Sequence, residues 1–392
     1  MKRATVAIIF FSLVGCTQTQ SNPAESKVTP DKSSSSSWPG GMQQMAKSLN
    51  KLMPYVFSQT EFAEEKNRKK IQGLIVDFNR SVEVVPQHTG EVMLGKDPLI
   101  KYALGRLKTN SDHVLQAFNE GHVGYARNVM RESLGVCFTC HSSSQFGPEN
   151  TDTAILIKNN FRITPIERAQ YYVATRQFDK AISLLASIVD TPAAVFTSTH
   201  EQVDALKMYL ALQVRIKNNP ADAAHVLEKF LSQKQLPYFV ATDAEAWQKS
   251  LREWVREGQT KNTGAKLAKA QQVLNRALQA QSEGYQSGYV NFLRASALFH
   301  ESLRATREPA QMADIYYKLG TSYESLAQAG TWDLPEIYYE ACVRIVPATD
   351  LAKKCYRGFE KVIFLGYSGS AGVFIPKAEK DKLNELKGVA GL

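Results

Sequence analysis

Four amphipathic segments in succession, the last closing on Cys137-Phe138-Thr139-Cys140-His141, constrain this chain more than any other feature. Apolar residues recur at Met42, Met45, Leu49, Leu52, Met53 and Val56, then at Ile71, Leu74, Ile75, Phe78 and Val82. They recur again at Ile100, Ala103, Leu104, Leu107, Val114, Leu115 and Phe118, and at Val123, Ala126, Val129, Met130, Leu134 and Cys137. Each set has the spacing of a helix that buries one face. Breaks are expected over Pro54–Gln59, over Pro86–Pro98 with Gly90 and Gly95, and at Asn119-Glu120-Gly121. The chain is therefore expected to be all-α, with a four-helix bundle over residues 41–148.

The closing motif carries the chemistry. On a helix, positions three apart share a face, and two thiols so placed with a histidine directly after them make the c-type haem attachment spacing. The thiols add to the two vinyl groups along one porphyrin edge, and the histidine falls beneath the iron. One covalently attached haem c is the expected cofactor, bound through Cys137 and Cys140, with His141 as axial iron ligand. A structural disulfide or half of a zinc site competes for the same cysteines. Neither uses His141, and no second Cys/His pair stands at suitable spacing.

A haem motif that closes a four-helix segment resembles the cytochrome c′ family. The resemblance covers roughly Gly41 to Gly147 and rests on the terminal Cys-x-x-Cys-His, the helix count and the methionines of the first segment. It implies that the distal residue on the first helix decides behaviour. Members with methionine there are six-coordinate, low-spin electron carriers; members with another apolar residue are five-coordinate and bind small gases. Met45 is the expected sixth ligand and Met42 the alternative, against the competing role of core packing. His88, His113 and His122 are other conceivable ligands, and Arg127 and Arg131 could approach a haem propionate, although surface roles compete for all five. The residues after the motif, Ser142-Ser143-Ser144-Gln145-Phe146, lack the basic residue that family members usually carry there.

Residues 1–15 have the charged start, short apolar stretch and small-residue exit of a secretory signal. Leu13-Val14-Gly15-Cys16 resembles a bacterial lipoprotein signal, which implies cleavage before Cys16 and lipidation of its thiol; an ordinary secretory signal is the competing reading. Residues 16–40, rich in Ser, Pro, Gln and Lys, are expected to be a lipidated flexible tether. The expected location is thus the bacterial cell envelope, facing the periplasm, with the absence of aspartate at Thr17 favouring the outer membrane. The formal net charge of +9 is interspersed, not blocked, which argues against a nucleic-acid partner.

From residue 149 to 392 the chain repeats. Ala169, Tyr172, Phe178 and Ala181 fall at the intervals of a tetratricopeptide helix pair. A second match runs from Leu319-Gly320 and Tyr323 to Tyr338, Ala341 and Pro347, with extra residues near Gly330-Thr331-Trp332, and a looser one joins Ala211, Val214, Pro220 and Ala223. The region resembles an irregular α-solenoid of tetratricopeptide-like helix pairs, with a plain helical bundle as the alternative. Cys342 and Cys355 flank the expected turn Pro347-Ala348-Thr349-Asp350, so their helices can face each other and form a disulfide; two buried thiols are the other possibility. Gly366 to Gly372 reads as a loop.

These features favour a membrane-anchored, non-enzymatic electron carrier whose repeat surface docks a redox partner protein or peptide. The alternative function is a five-coordinate haem protein that binds or senses NO or CO. Peroxidase activity is disfavoured, because the sequence places no distal His-Arg pair. Homodimerisation through the haem bundle is left open.

Overall fold

The computed structural model describes residues 38–87, 97–143, 163–191, 199–233, 236–258, 266–326, 332–370 and 372–392. The signal, Cys16, His88 and residues 16–37 of the tether lie outside them. Among the described residues the protein is all-α, with sixteen α-helices and one two-stranded hairpin.

The first five helices are α1 (Trp38–Phe57), α2 (Gln59–Ala63), α3 (Glu65–Gln87), α4 (Pro98–Asn119) and α5 (Val123–His141). Helix α1 runs through Pro54, where a break was expected. The proline stands in the last turn, so only one intrahelical bond is lost there. The chain then makes the short α2, capped by the Ser58 hydroxyl, which accepts the Glu61 N–H at 3.2 Å. Helix α3 packs on α1, α4 on α3 and α5 on α4, while α5 also meets α1.

Cross-links fix these neighbours as antiparallel. The Lys70 ammonium stands 5.3 Å from the centre of the Tyr55 ring, Asn79 donates to Ser111 at 3.2 Å and to Asp112 at 2.8 Å, and Asn110 donates to Ser133 at 3.2 Å. Arg127 Nε donates to the Val56 carbonyl at 2.7 Å, which sets α5 against α1. Met45, Leu52, Ile71, Ile75, Val82, Leu107, Met130 and Leu134 are buried among these helices. Each fully buried side chain of this size contributes about 1.5–3 kcal/mol.

The chain continues as α6 (Pro165–Ala174), α7 (Phe178–Asp190), α8 (Thr199–Leu212), α9 (Pro220–Leu231), α10 (Tyr238–Gly258), α11 (Lys266–Gln281), α12 (Tyr289–Ala305), α13 (Pro309–Leu326), α14 (Leu334–Ile345), α15 (Asp350–Gly366) and α16 (Lys377–Ala390). Most of these pack on the helix before them. Helices α4, α6 and α9 begin with a capping residue followed by proline: Asp97-Pro98, Thr164-Pro165 and Asn219-Pro220. The side chain supplies an acceptor for free N–H groups, and the proline has none to leave unsatisfied.

Helix α8 widens into a π-helical turn, Gln213–Lys217, that ends on left-handed Asn218. The extra residue per turn shifts the register between Ala211 and Ala223, where the repeat match was loosest. The match at Gly320 has a direct packing cause. The Tyr339 ring lies between α13 and α15, and a Cβ at Gly320 or Gly358 would come within 2.7 or 2.8 Å of it. Cys342 and Cys355 are disulfide-bonded across α14 and α15, with Cα atoms 6.0 Å apart. The segment read as a loop contains a minimal hairpin, in which Ser368 pairs with Val373 and Gly369 with Gly372.

The two halves interlock across the expected boundary at residue 148. Ile163, Tyr171 and Ala174 bury into the N-terminal cluster, whereas Leu99 and Phe138 bury into the C-terminal one. Tyr171 donates to Asn50 at 2.6 Å, and Tyr102 donates to Asp333 at 3.1 Å.

Candidate functional site

Helix α5 ends at His141, so the motif occupies its final turns, at the end of the first four long helices where α4 begins. Cys137 is buried, and Cys140 and His141 are partly buried. The two thiols are not bonded to each other. Burial pushes both up to about 12, helped by Cys140 in the case of Cys137, and by Asp97 against the opposing Arg176 in the case of Cys140. Both are therefore neutral thiols at physiological pH.

His141 is held by helix α6. Its Nδ1 lies 3.1 Å from the carbonyl oxygen of Val173, and because a carbonyl only accepts, Nδ1 carries the proton. Burial first, and the Arg176 charge next, push this imidazole down to about 4, against the pull of the Val173 and Ala174 backbone. The ring is neutral and its Nε2 keeps the lone pair, which is the ligating form. The next residue, Ser142, has a buried hydroxyl oxygen with no hydrogen-bond partner among the described residues.

The remaining sequence candidates separate by position. Val56 of α1 is beside Arg127 of antiparallel α5. Met45 precedes Val56 by as many residues as Phe138 follows Arg127, so the common helical rise brings Met45 level with the motif. Met45 is buried in the same cluster as Cys137, and Met42 is partly buried against it. His113 and His122 are exposed, and His122 precedes the first residue of α5, at the end away from the motif. Arg127 is committed to Val56, and Arg131 pairs with Glu167.

The sequence reading missed a buried chain of polar side chains beside Cys140. Asp97, the N-cap of α4, accepts the Leu99 N–H at 3.1 Å and the Tyr338 hydroxyl at 2.8 Å, and it lies 2.6 Å from His300 Nδ1. His300 Nε2 is 2.9 Å from the Tyr323 hydroxyl. Arg215, donating to Ser296 at 2.8 Å, lies over the Tyr323 ring at 5.6 Å. Burial opposes ionisation of Asp97, but His300, Tyr338 and the Leu99 N–H outweigh it and hold the carboxyl below its ordinary range. Burial pushes Tyr323 up to about 12. Asp97-Pro98 was legible only as a helix start; His300, 203 residues away, gives no local signal.

The residues fit a haem. They offer two neutral thiols on one helix, a neutral imidazole with its proton on Nδ1, and a thioether buried in the same cluster as Cys137. Among the described residues no three His, Cys, Asp or Glu side chains converge as an ion held by protein alone would need, whereas haem iron takes only its axial ligands from the chain. No described helix is long and apolar enough to cross a membrane. The chain matches no protein-family model, no curated protein and no solved structure.

Proposed function

We propose that this protein is a monohaem c-type cytochrome of the bacterial cell envelope. In this reading it is anchored by a lipid on Cys16 and transfers electrons through a haem c held at Cys137 and Cys140. The haem unit is read as a four-helix bundle made of α1, α3, α4 and α5, and the helices from α6 onward as a tetratricopeptide-like solenoid that docks a redox partner.

The observation that carries the reading is the state of His141: a partly buried, neutral imidazole whose Nδ1–H is tied to the Val173 carbonyl, so that the lone pair is on Nε2. When bound, the haem supplies a one-electron ferrous–ferric couple. Cys137 and Cys140 would hold it through two thioether bonds, each thiol giving its sulfur to one carbon of a vinyl group and its proton to the other. Val173 keeps the imidazole from rotating. Met45, buried in the same cluster as Cys137, would supply a soft thioether, a ligand type that favours the reduced state.

The test is the absorption spectrum, oxidised and dithionite-reduced, of the protein exported in a host that attaches haem, compared with Met45→Ala. A low-spin ferrous spectrum with sharp α and β bands, lost in the variant, supports electron transfer with Met45 as ligand. A high-spin spectrum indifferent to the substitution and shifted by carbon monoxide sinks that reading and favours gas binding.

A further inference from the structure

We infer that the groove lined by α11, α13 and α15 docks an acidic segment of a partner protein, its carboxylates against Lys354, Arg357 and Lys361 and its apolar side chains against Leu278. The inference rests on the reading of the helices from α6 onward as a docking module, and it is independent of the haem.

Helix α15 brings its cations to one side. Lys354, Arg357 and Lys361 stand three and four residues apart, so they follow one another along the helix surface, and all three are exposed. Gly358, between them, adds no side chain to this wall, which leaves room for the Tyr339 ring of α14 beneath it. The Tyr339 hydroxyl donates to Glu324 of α13 at 2.5 Å, and Glu324 also pairs with Lys361. Glu324 is the one acid among the described lining residues, and it is engaged twice. It therefore positions Lys361 and leaves two of the three cations unneutralised. The Lys354 ammonium stands 4.2 Å from the centre of the Tyr317 ring, which steadies the charge without supplying a counter-ion. Arg357 makes no ion pair or hydrogen bond among the described residues.

The same groove has an apolar side. Leu278 of α11 lines it with 46% of its surface exposed, over Phe292 of α12, which is fully buried. One exposed leucine is ordinary on a protein surface, but beside a row of cations it selects a segment that carries apolar as well as acidic side chains. The groove measures about 350 Å³, room for a few side chains of an extended segment and not for a folded surface. The formal net charge of +9 makes a second copy of this chain a poor electrostatic match, so the occupant is a different, acidic protein.

The test uses the full chain as exported, with fluorescein-labelled peptides of equal length made of Gly-Leu-Glu-Glu, Gly-Ser-Glu-Glu or Gly-Leu-Lys-Lys repeats, read by fluorescence anisotropy. Wild type is compared with Arg357→Glu, Leu278→Ser and Lys69→Glu, the last making the same charge change on exposed α3. The expected result is that the Gly-Leu-Glu-Glu peptide binds best and more weakly in high salt. Arg357→Glu is expected to weaken it about tenfold and Leu278→Ser about threefold, while Lys69→Glu changes it less than about twofold. Equal losses in Arg357→Glu and Lys69→Glu, or no loss in Arg357→Glu, overturn the inference and leave the docking reading standing, because the peptide then binds elsewhere or through overall charge. Equal binding of the Gly-Ser-Glu-Glu peptide overturns it too, since the apolar side is then idle. Preference for the Gly-Leu-Lys-Lys peptide overturns the acidic choice alone, whereas a wild-type chain that binds none of the three overturns the inference and counts against the docking reading as well. If Arg357→Glu does not accumulate, Arg357→Gln decides by the same comparison.

Discussion

Replacing Asp97 with alanine is expected to loosen the joint between the two halves. The carboxylate makes three contacts that the substitution removes: the Leu99 N–H at 3.1 Å, the Tyr338 hydroxyl at 2.8 Å and His300 Nδ1 at 2.6 Å. Loss of the helix cap costs about 1 kcal/mol. His300 and Tyr338 are then left as buried donors without an acceptor, at about 1–3 kcal/mol each. The expected loss is about 3–7 kcal/mol, which spans the about 3–5 kcal/mol typical of removing one partner of a buried pair. Asp97→Asn keeps Oδ1 as acceptor for Leu99 and Tyr338 but puts the amide NH2, a donor, in place of the oxygen facing His300 Nδ1, so about 1–3 kcal/mol is expected. Urea unfolding of the haem-free chain, followed by circular dichroism and tyrosine and tryptophan fluorescence, measures both. An Asp97→Ala variant within about 1 kcal/mol of wild type would refute the idea that this network fastens the halves.

Three further outcomes follow from the same geometry. In the haem-free chain His141 protonates near pH 4 when folded and near its ordinary 6.5 when unfolded, so the unfolded chain binds more protons between those values. Stability is therefore expected to fall by about 2–3 kcal/mol as pH drops through that window, with no such slope from this position in His141→Gln; equal pH profiles would count against the neutral ring. Gly358→Ala puts a methyl within 2.8 Å of the Tyr339 ring, and an about 1–3 kcal/mol loss in urea melts is expected, whereas Gly73→Ala, with open space around it, should cost nothing comparable. Reducing the Cys342–Cys355 disulfide, or replacing both cysteines by serine, is expected to lower stability by about 3 kcal/mol, measured as a shift in the urea midpoint with and without reductant.

The helices of the N-terminal half were legible because their apolar residues recur at helical intervals, and the all-α expectation is borne out. Their limits were less legible. Pro54 reads as a break, yet at a helix end it removes one bond that the next turn does not need. The site was legible only in part. Cys137, Cys140 and His141 are a local pattern on one helix, and so are visible as a string of letters. The group that orients His141 is a backbone carbonyl 32 residues on, and every residue has such a carbonyl. The link between Asp97 and His300 depends on α4 meeting α12 and α14 in space, the two residues standing 203 positions apart. Arg176 stood in the sequence as one basic residue among many, and its position beside the motif comes from the turn after α6.

The most direct test of the central claim is the intact mass of the mature protein, denatured and extracted with acid and organic solvent, from a host that attaches haem after export. The account predicts one haem retained through extraction in the wild type and none retained when Cys137 and Cys140 are both serine. A wild-type chain that carries no covalent haem under conditions where a known c-type cytochrome is fully loaded would contradict it.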